Sequence, residues 1–119
     1  MENNQIRKPF KKNISEIPVE EAHGGSGKRK LILSKEDPIS NQLHAMTKGF
    51  LIANGCFDWH EHESIDEFFL VIKGTGVVEF EEGTKMEYNT EDIIYMPSNM
   101  KHKITAKEDS EFFFVRIND

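Results

Sequence analysis

The chain has 119 residues and a formal net charge of −6, a length that suits one domain able to bury roughly two-thirds of its unfolded surface without disulfides. Lys and Arg are interspersed among the acids, which excludes the basic stripe of a nucleic-acid surface and disfavours adhesion to anionic membranes. The one cysteine, Cys56, excludes an internal disulfide and fits a reducing compartment. The basic N-terminus has no apolar run behind it, so it does not read as a secretory signal, and no apolar stretch approaches the ~20 residues of a membrane span. These features predict a soluble, cytoplasmic protein.

In chain order, residues 1–16 are polar and read as an N-terminal arm, flexible or packed on a partner, with residues 17–119 as a single barrel. Phe10, Ile14, Ile17 and Val19 are the apolar contacts that could lay this arm on the body. Residues 23–27, with His23 and three glycines, read as a flexible loop. With Lys28 behind it the loop faintly resembles a phosphate-binding loop, but that pattern needs Gly at position 22 and Ser or Thr at 29. Ala22 and Arg29 stand there, which excludes it.

From here the pattern predicts only strands. They are Lys30–Leu33, Thr47–Ala53, Glu67–Lys73, Val77–Glu81, Lys85–Tyr88, Asp92–Met96, His102–Ala106 and Glu111–Ile117. Turn signals at Asp37–Pro38, Asn54–Gly55, Gly74, Glu82–Gly83 and Pro97 separate several of them. Strands at this spacing, without a helical period, give an all-β sandwich or barrel. Phe68 to Ile72 and Phe112 to Val115 are apolar on both strand faces, whereas a sheet with one wet face alternates. Phe68, Leu70 and Ile72 fall on the outer face, which the arm or a second subunit must cover. A homodimer is the expectation.

Four residues carry the chemistry. His60 and His62, two apart in an extended segment, point to the same side. Glu67 shares its strand face with Phe69 and Val71, so parity sends its carboxylate into an apolar interior, where an ionised group needs a partner. His102 opens the strand after Pro97 and can lie beside the first two histidines. Three imidazoles and a carboxylate suit one divalent metal ion (Mn, Fe, Zn, Ni or Co). Five- or six-coordination would leave room for water or substrate, and tetrahedral zinc would not. Phe69 and Ile104, on the faces of Glu67 and His102, are expected to line a pocket for a small-molecule ligand.

The other candidates read as structural. His23 and His44 fit no ligand spacing. Cys56 reads as a small buried hydrophobe, Trp59 and Tyr95 as packing aromatics, and Glu61 and Glu63 as water-facing neighbours of the histidines.

The segment from Gly55 to Gly74, with His60, His62 and Glu67, resembles the first motif of the cupin superfamily. That motif has a Gly before an H-x-H pair, a Glu three or four residues on and a Gly six further. The segment from Glu91 to His102 resembles the second, G-x5-P-x-G-x2-H-x3-N. Departures are visible. Gly55 sits one residue too close to His60, Glu91 replaces the leading Gly, Asn99 replaces the Gly after the proline, and Ala106 replaces the final Asn. None removes a ligand, and Asn tolerates the positive φ of the turn. The resemblance spans about residues 46–117. It implies a double-stranded β-helix (jelly-roll) of the small single-domain type, a metal held by His60, His62, Glu67 and His102, and frequent dimers. It leaves the reaction open among isomerase, lyase or decarboxylase, and dioxygenase chemistry. The alternative is a non-enzymatic metal-dependent small-molecule or sugar-binding module. No catalytic acid or base is identified.

Overall fold

The computed structural model describes residues 7–22 and 26–119; His23 and most of its glycine loop lie outside them. Among the described residues, ten strands follow one short 3-10 turn at Ile14–Glu16. They are β1 (Glu20–Glu21), β2 (Lys28–Ser34), β3 (Leu43–Leu51), β4 (Cys56–His60), β5 (Ile65–Lys73), β6 (Gly76–Phe80), β7 (Lys85–Tyr88), β8 (Ile93–Met96), β9 (His102–Ala106) and β10 (Ser110–Asn118). One sheet has the order β1-β2-β3-β10-β5-β8 and the other β4-β9-β6-β7. Every pairing is antiparallel. The two sheets face each other as a jelly-roll.

Strand parity explains the core. Along β3 the inward set is Ala45, Thr47, Gly49 and Leu51, along β5 it is Glu67, Phe69 and Val71, and along β10 it is Ser110, Phe112 and Phe114. From the other sheet come Gly76, Val78 and Phe80 on β6 and His102, Ile104 and Ala106 on β9. Phe69, Tyr88, Phe112 and Phe114 stack in the middle, Phe69 and Phe112 with centroids 4.6 Å apart. Each such ring contributes about 1.5–3 kcal/mol by leaving water. Tyr88 is sealed, and its hydroxyl is satisfied: Ser110 Oγ donates to the Glu108 carbonyl at 2.8 Å and accepts from Tyr88 Oη at 2.8 Å.

The structure departs from the sequence expectation at several places, the short β1 among them. The strand expected at Thr47–Ala53 begins at Leu43, because Leu43–Met46 pair with β10 across a register shift. β4 is a strand of its own, where Phe57 and Trp59 alternate with Cys56, Asp58 and His60 and the pairing with β9 completes it. The described part of the arm, residues 7–16, is held by charged contacts that its apolar pattern did not show. Lys12 Nζ donates to the Ile32 carbonyl at 2.8 Å and pairs with Asp37 at 2.7 Å, and Lys30 Nζ donates to the Ile14 carbonyl at 3.0 Å. Ile14 and Ile17 are half-buried, whereas Phe10 and Val19 are exposed. Among the described residues no helix is long and apolar enough to cross a membrane.

Gly76 marks a close approach between β6 and its neighbours. A Cβ there would meet the Thr105 carbonyl oxygen at 2.3 Å and the Tyr88 ring at 2.5 Å. A strand-paired carbonyl cannot yield as a side-chain tip can. Gly76→Ala is therefore expected to destabilise the fold by about 1–3 kcal/mol, read as a lowered urea midpoint with an unchanged m-value.

Candidate metal centre

His60, His62, Glu67 and His102 converge in space. One ligand atom from each lies within 4.8 Å of all the others. The two sheets divide the work. His60 ends β4, His62 follows it in the loop to β5, and His102 opens β9 directly opposite His60. Glu67 comes from β5 on the facing sheet. The backbone between His62 and β5 is fixed by Asn99, which sits at φ 63° in the turn after Pro97. Asn99 donates its N–H to the His62 carbonyl at 3.0 Å, and its Oδ1 accepts from the Ser64 N–H at 3.0 Å.

The imidazoles are oriented for coordination. His60 Nδ1 lies 2.6 Å from the Asp58 carbonyl and His102 Nδ1 lies 3.3 Å from the Met100 carbonyl. A carbonyl only accepts, so in both rings Nδ1 carries the proton and Nε2 presents a lone pair. Glu67 and His102 are each 1 % exposed. Among the described residues, three buried side-chain polar atoms have no hydrogen-bond partner: His62 Nε2, His102 Nε2 and Glu67 Oε1. Glu67 Oε1 lies 3.6 Å from His62 Nε2 and 3.5 Å from His102 Nε2, too long for a good hydrogen bond. Unpaired buried acceptors are costly, and a cation among them would satisfy all three. The residues present therefore fit a divalent ion.

Arg116, which the sequence reading passed over, completes the centre. Its Nε donates to Glu67 Oε2 at 2.5 Å, which leaves Oε1 for an ion. The guanidinium carbon stands 5.9 Å from the Phe114 ring centroid. Strand parity was the signal available, since Arg116 follows Phe112 and Phe114 on one face of β10. Burial works to raise the Glu67 pKa; the His102 ring and the Arg116 charge oppose it and bring it down to about 2. Burial lowers His62 to about 4 and also lowers His60, so both rings are neutral and able to ligate near pH 7.

Beside the histidines lies a cavity of about 60 Å³. Its apolar wall is Phe57, Ile104 and Phe114, and its polar side includes Thr47, Arg29 and Arg116. Ile104 is thus placed where parity put it. Phe69 is not among the lining residues: it lies one pleat repeat, about 6.8 Å, further along β5 than Glu67, packed against Phe112 and Phe114 in the sealed core. Phe57 and Phe114 take the place expected of it. Phe57 fits there because position 27 is glycine, where a Cβ would fall 2.0 Å from its ring. Trp59 and Tyr95 are exposed and away from the cavity, as are His44, Glu61 and Glu63. Cys56 is half-buried and also off the lining.

Comparison with known proteins agrees with this geometry. A family model described as "Cupin domain" matches residues 50–117; the chain belongs to the cupin family. No curated protein matches it. Among solved structures it is similar to a predicted oxalate decarboxylase from Thermotoga maritima, with 26% identity, 90% of this chain and 97% of that one covered, and a TM-score of 0.79. Ectoine synthase from P. lautus shares 14% identity over 92% of this chain and 78% of its own, with a TM-score of 0.78. KdgF from Halomonas sp. shares 21% over 88% and 89%, with a TM-score of 0.72. The latter two likenesses speak to the fold.

Two outcomes are expected of the metal-free protein. Arg116→Met leaves a buried carboxylate without its cation, so stability falls by about 3–5 kcal/mol; adding Glu67→Gln recovers most of the loss, as urea titration would show. The second concerns pH. The unfolded chain takes up a proton on His62 near its ordinary value of 6.5, whereas the folded chain resists until about 4. The unfolded state thus binds more protons in that window, and stability declines as pH falls from about 6.5 toward 4. Glu67 contributes a further loss from its ordinary 4.5 down through about 2. Denaturation midpoints at pH 7.5 and 5 test this, and His62→Gln is expected to flatten the slope between them.

Proposed function

We propose that this cupin is a metal-dependent enzyme acting on a small polar metabolite. The observation that carries the reading is the convergence of three unpartnered buried ligand atoms beside a cavity. A purely structural site would have no need of that space. His60, His62, His102 and Glu67 Oε1 would hold the ion, one of Mn, Fe, Zn, Ni or Co. Such an ion, when bound, supplies a Lewis acid for a carbonyl, enediolate or carboxylate oxygen. The chain's own part is orientation and exclusion. The Asp58 and Met100 carbonyls fix the imidazole tautomers, Arg116 keeps Glu67 ionised, and Phe57, Ile104 and Phe114 keep bulk water from the reacting face. Glu67, committed to the ion and to Arg116, is not the free base.

Isomerase, lyase or decarboxylase, and dioxygenase chemistries all begin from this arrangement. The likeness to a predicted oxalate decarboxylase at 26% identity favours the decarboxylase branch. Metal content is measured first: purified protein is expected to hold about one ion per chain and His62→Ala far less. Equal content in the two would overturn the metal reading. Metal-loaded protein is then offered uronates, keto-sugars, dicarboxylates and thiols with and without oxygen. Oxygen-independent product supports the isomerase or lyase branch, and oxygen-dependent product the dioxygenase branch. Saturable binding without product under several metals would replace the enzyme with a binding module.

The same reading takes the protein as a cytoplasmic homodimer, with residues 17–119 as the barrel and residues 1–16 as an arm. What supports the dimer is the outer face of β10, β5 and β8. Leu70, Ile93 and Tyr95 are exposed there beside half-buried Phe68 and Phe113. The described part of the arm runs instead along β2, by Leu31. Light scattering at micromolar concentration is expected to give twice the chain mass of 13.8 kDa, and Leu70→Glu is expected to give the monomer mass.

A further inference from the structure

Two arginines line the cavity. Arg29 reaches it from β2 and Arg116 from β10, in the company of His60 and His62. Each guanidinium is tethered by its inner nitrogen. Arg29 Nε donates to Glu20 Oε1 at 2.8 Å, and Arg116 Nε donates to Glu67 Oε2. The N–H donors on the two Nη atoms of each side chain take no protein partner among the described residues, so two planar forks are left for a ligand. Neither is sealed from the cavity: the Arg29 side chain is 28% exposed and the Arg116 side chain 12%.

Charge balance points the same way. Without an ion, Arg29 is matched by Glu20 and Arg116 by Glu67. A divalent ion adds two positive charges, and no other carboxylate is found among the described lining residues. Unbalanced charge in a small, partly apolar cavity is costly, and an anion entering with the ion offsets it. The cavity volume limits the size of that anion. At about 10–15 Å³ per water-sized occupant, about 60 Å³ admits about four to six non-hydrogen atoms. Phe57, Ile104 and Phe114 offer an apolar flank to a short carbon skeleton.

We propose that the cavity binds a small carboxylate anion together with the metal ion, recognised by the free guanidinium edges of Arg29 and Arg116. This rests on the metal-dependent reading above and names its substrate class. Arg29 determines specificity, since it touches neither the ligand imidazoles nor Glu67 in any hydrogen bond or ion pair described. Arg116 serves twice, holding Glu67 through Nε and offering its outer edge to the anion.

Isothermal titration of the zinc-loaded protein tests the proposal, with pyruvate as the probe and pyruvamide as its uncharged counterpart. Pyruvate is expected to bind at least tenfold more tightly than pyruvamide, and to lose that advantage when zinc is removed. Arg29→Gln is expected to weaken pyruvate at least tenfold, and more than it weakens pyruvamide, while leaving zinc content unchanged, and Arg29→Lys is expected to restore part of the loss. No binding of pyruvate, equal binding of the two compounds, or pyruvate affinity unchanged by Arg29→Gln would each overturn the proposal while leaving the metal reading standing. Failure of the protein to take up stoichiometric zinc, manganese or iron would overturn the metal reading itself, and this proposal with it.

Discussion

An ionised carboxylate sealed between two sheets is the constraint around which this molecule is arranged. Glu67 stands on an inward position of β5, 1 % exposed, where a leucine or valine would otherwise complete the core. A charge so placed is tolerated only with a partner on each oxygen. The facing residue of the neighbouring strand supplies one: Arg116 is directly paired with Glu67 in the β10–β5 ladder and holds Oε2. The other oxygen is left facing the imidazoles of His62 and His102, and that remaining deficit is what fits the place for a cation and sets it apart from a plain buried ion pair.

The two sheets contribute unlike things to the centre. The four-stranded sheet brings the imidazoles, with His60 and His102 opposed across the β4–β9 ladder. The six-stranded sheet brings the charges, Glu67, Arg116 and Arg29. A cation between them would bind the sheets together at one end of the barrel, while the aromatic stack of Phe69, Tyr88, Phe112 and Phe114 binds them in the middle. The cavity occupies the step between, where Gly49 on β3 withholds a side chain and the rings of Phe57 and Phe114 turn toward the space; a Cβ at Gly49 would press within 2.6 Å of Phe114. The apolar flank of the site is thus an extension of the core.

The second motif carries its substitutions without losing the geometry. Asn99, at φ 63°, replaces the expected glycine and gains two hydrogen bonds that a glycine could offer only in part. Its backbone N–H reaches the His62 carbonyl, and its side-chain oxygen holds the Ser64 N–H. Glu91, in place of the leading glycine, sits at φ 77°, a conformation that costs a residue with a Cβ on the order of 1 kcal/mol. The β5–β8 neighbourhood holds it in place, since its N–H bonds the Val71 carbonyl at 2.9 Å.

The sequence by itself determined the fold class, most strand positions and the four residues that converge at the candidate centre, because these depend on local information. Alternation with a period of two assigns each residue to a face, the spacing of His60, His62, Glu67 and His102 assigns the chemistry, and Pro, Gly and Asn mark the turns. It also placed Leu70 on the outer face and Ile104 on the inner one. Tertiary structure decided what lies at a given depth and across which strand. Phe69 shares the face of Glu67, yet sits deeper along the barrel, in the sealed core, whereas Phe57 and Phe114, far apart in sequence, meet at the cavity. Parity names a face but not a height along it. Arg116 was legible as inward-facing, but only the register of β10 against β5 sets it opposite Glu67. Arg29, rejected as part of a phosphate loop, gained its place from the pairing of β2 with β3, a long-range contact that no local pattern in the chain encodes.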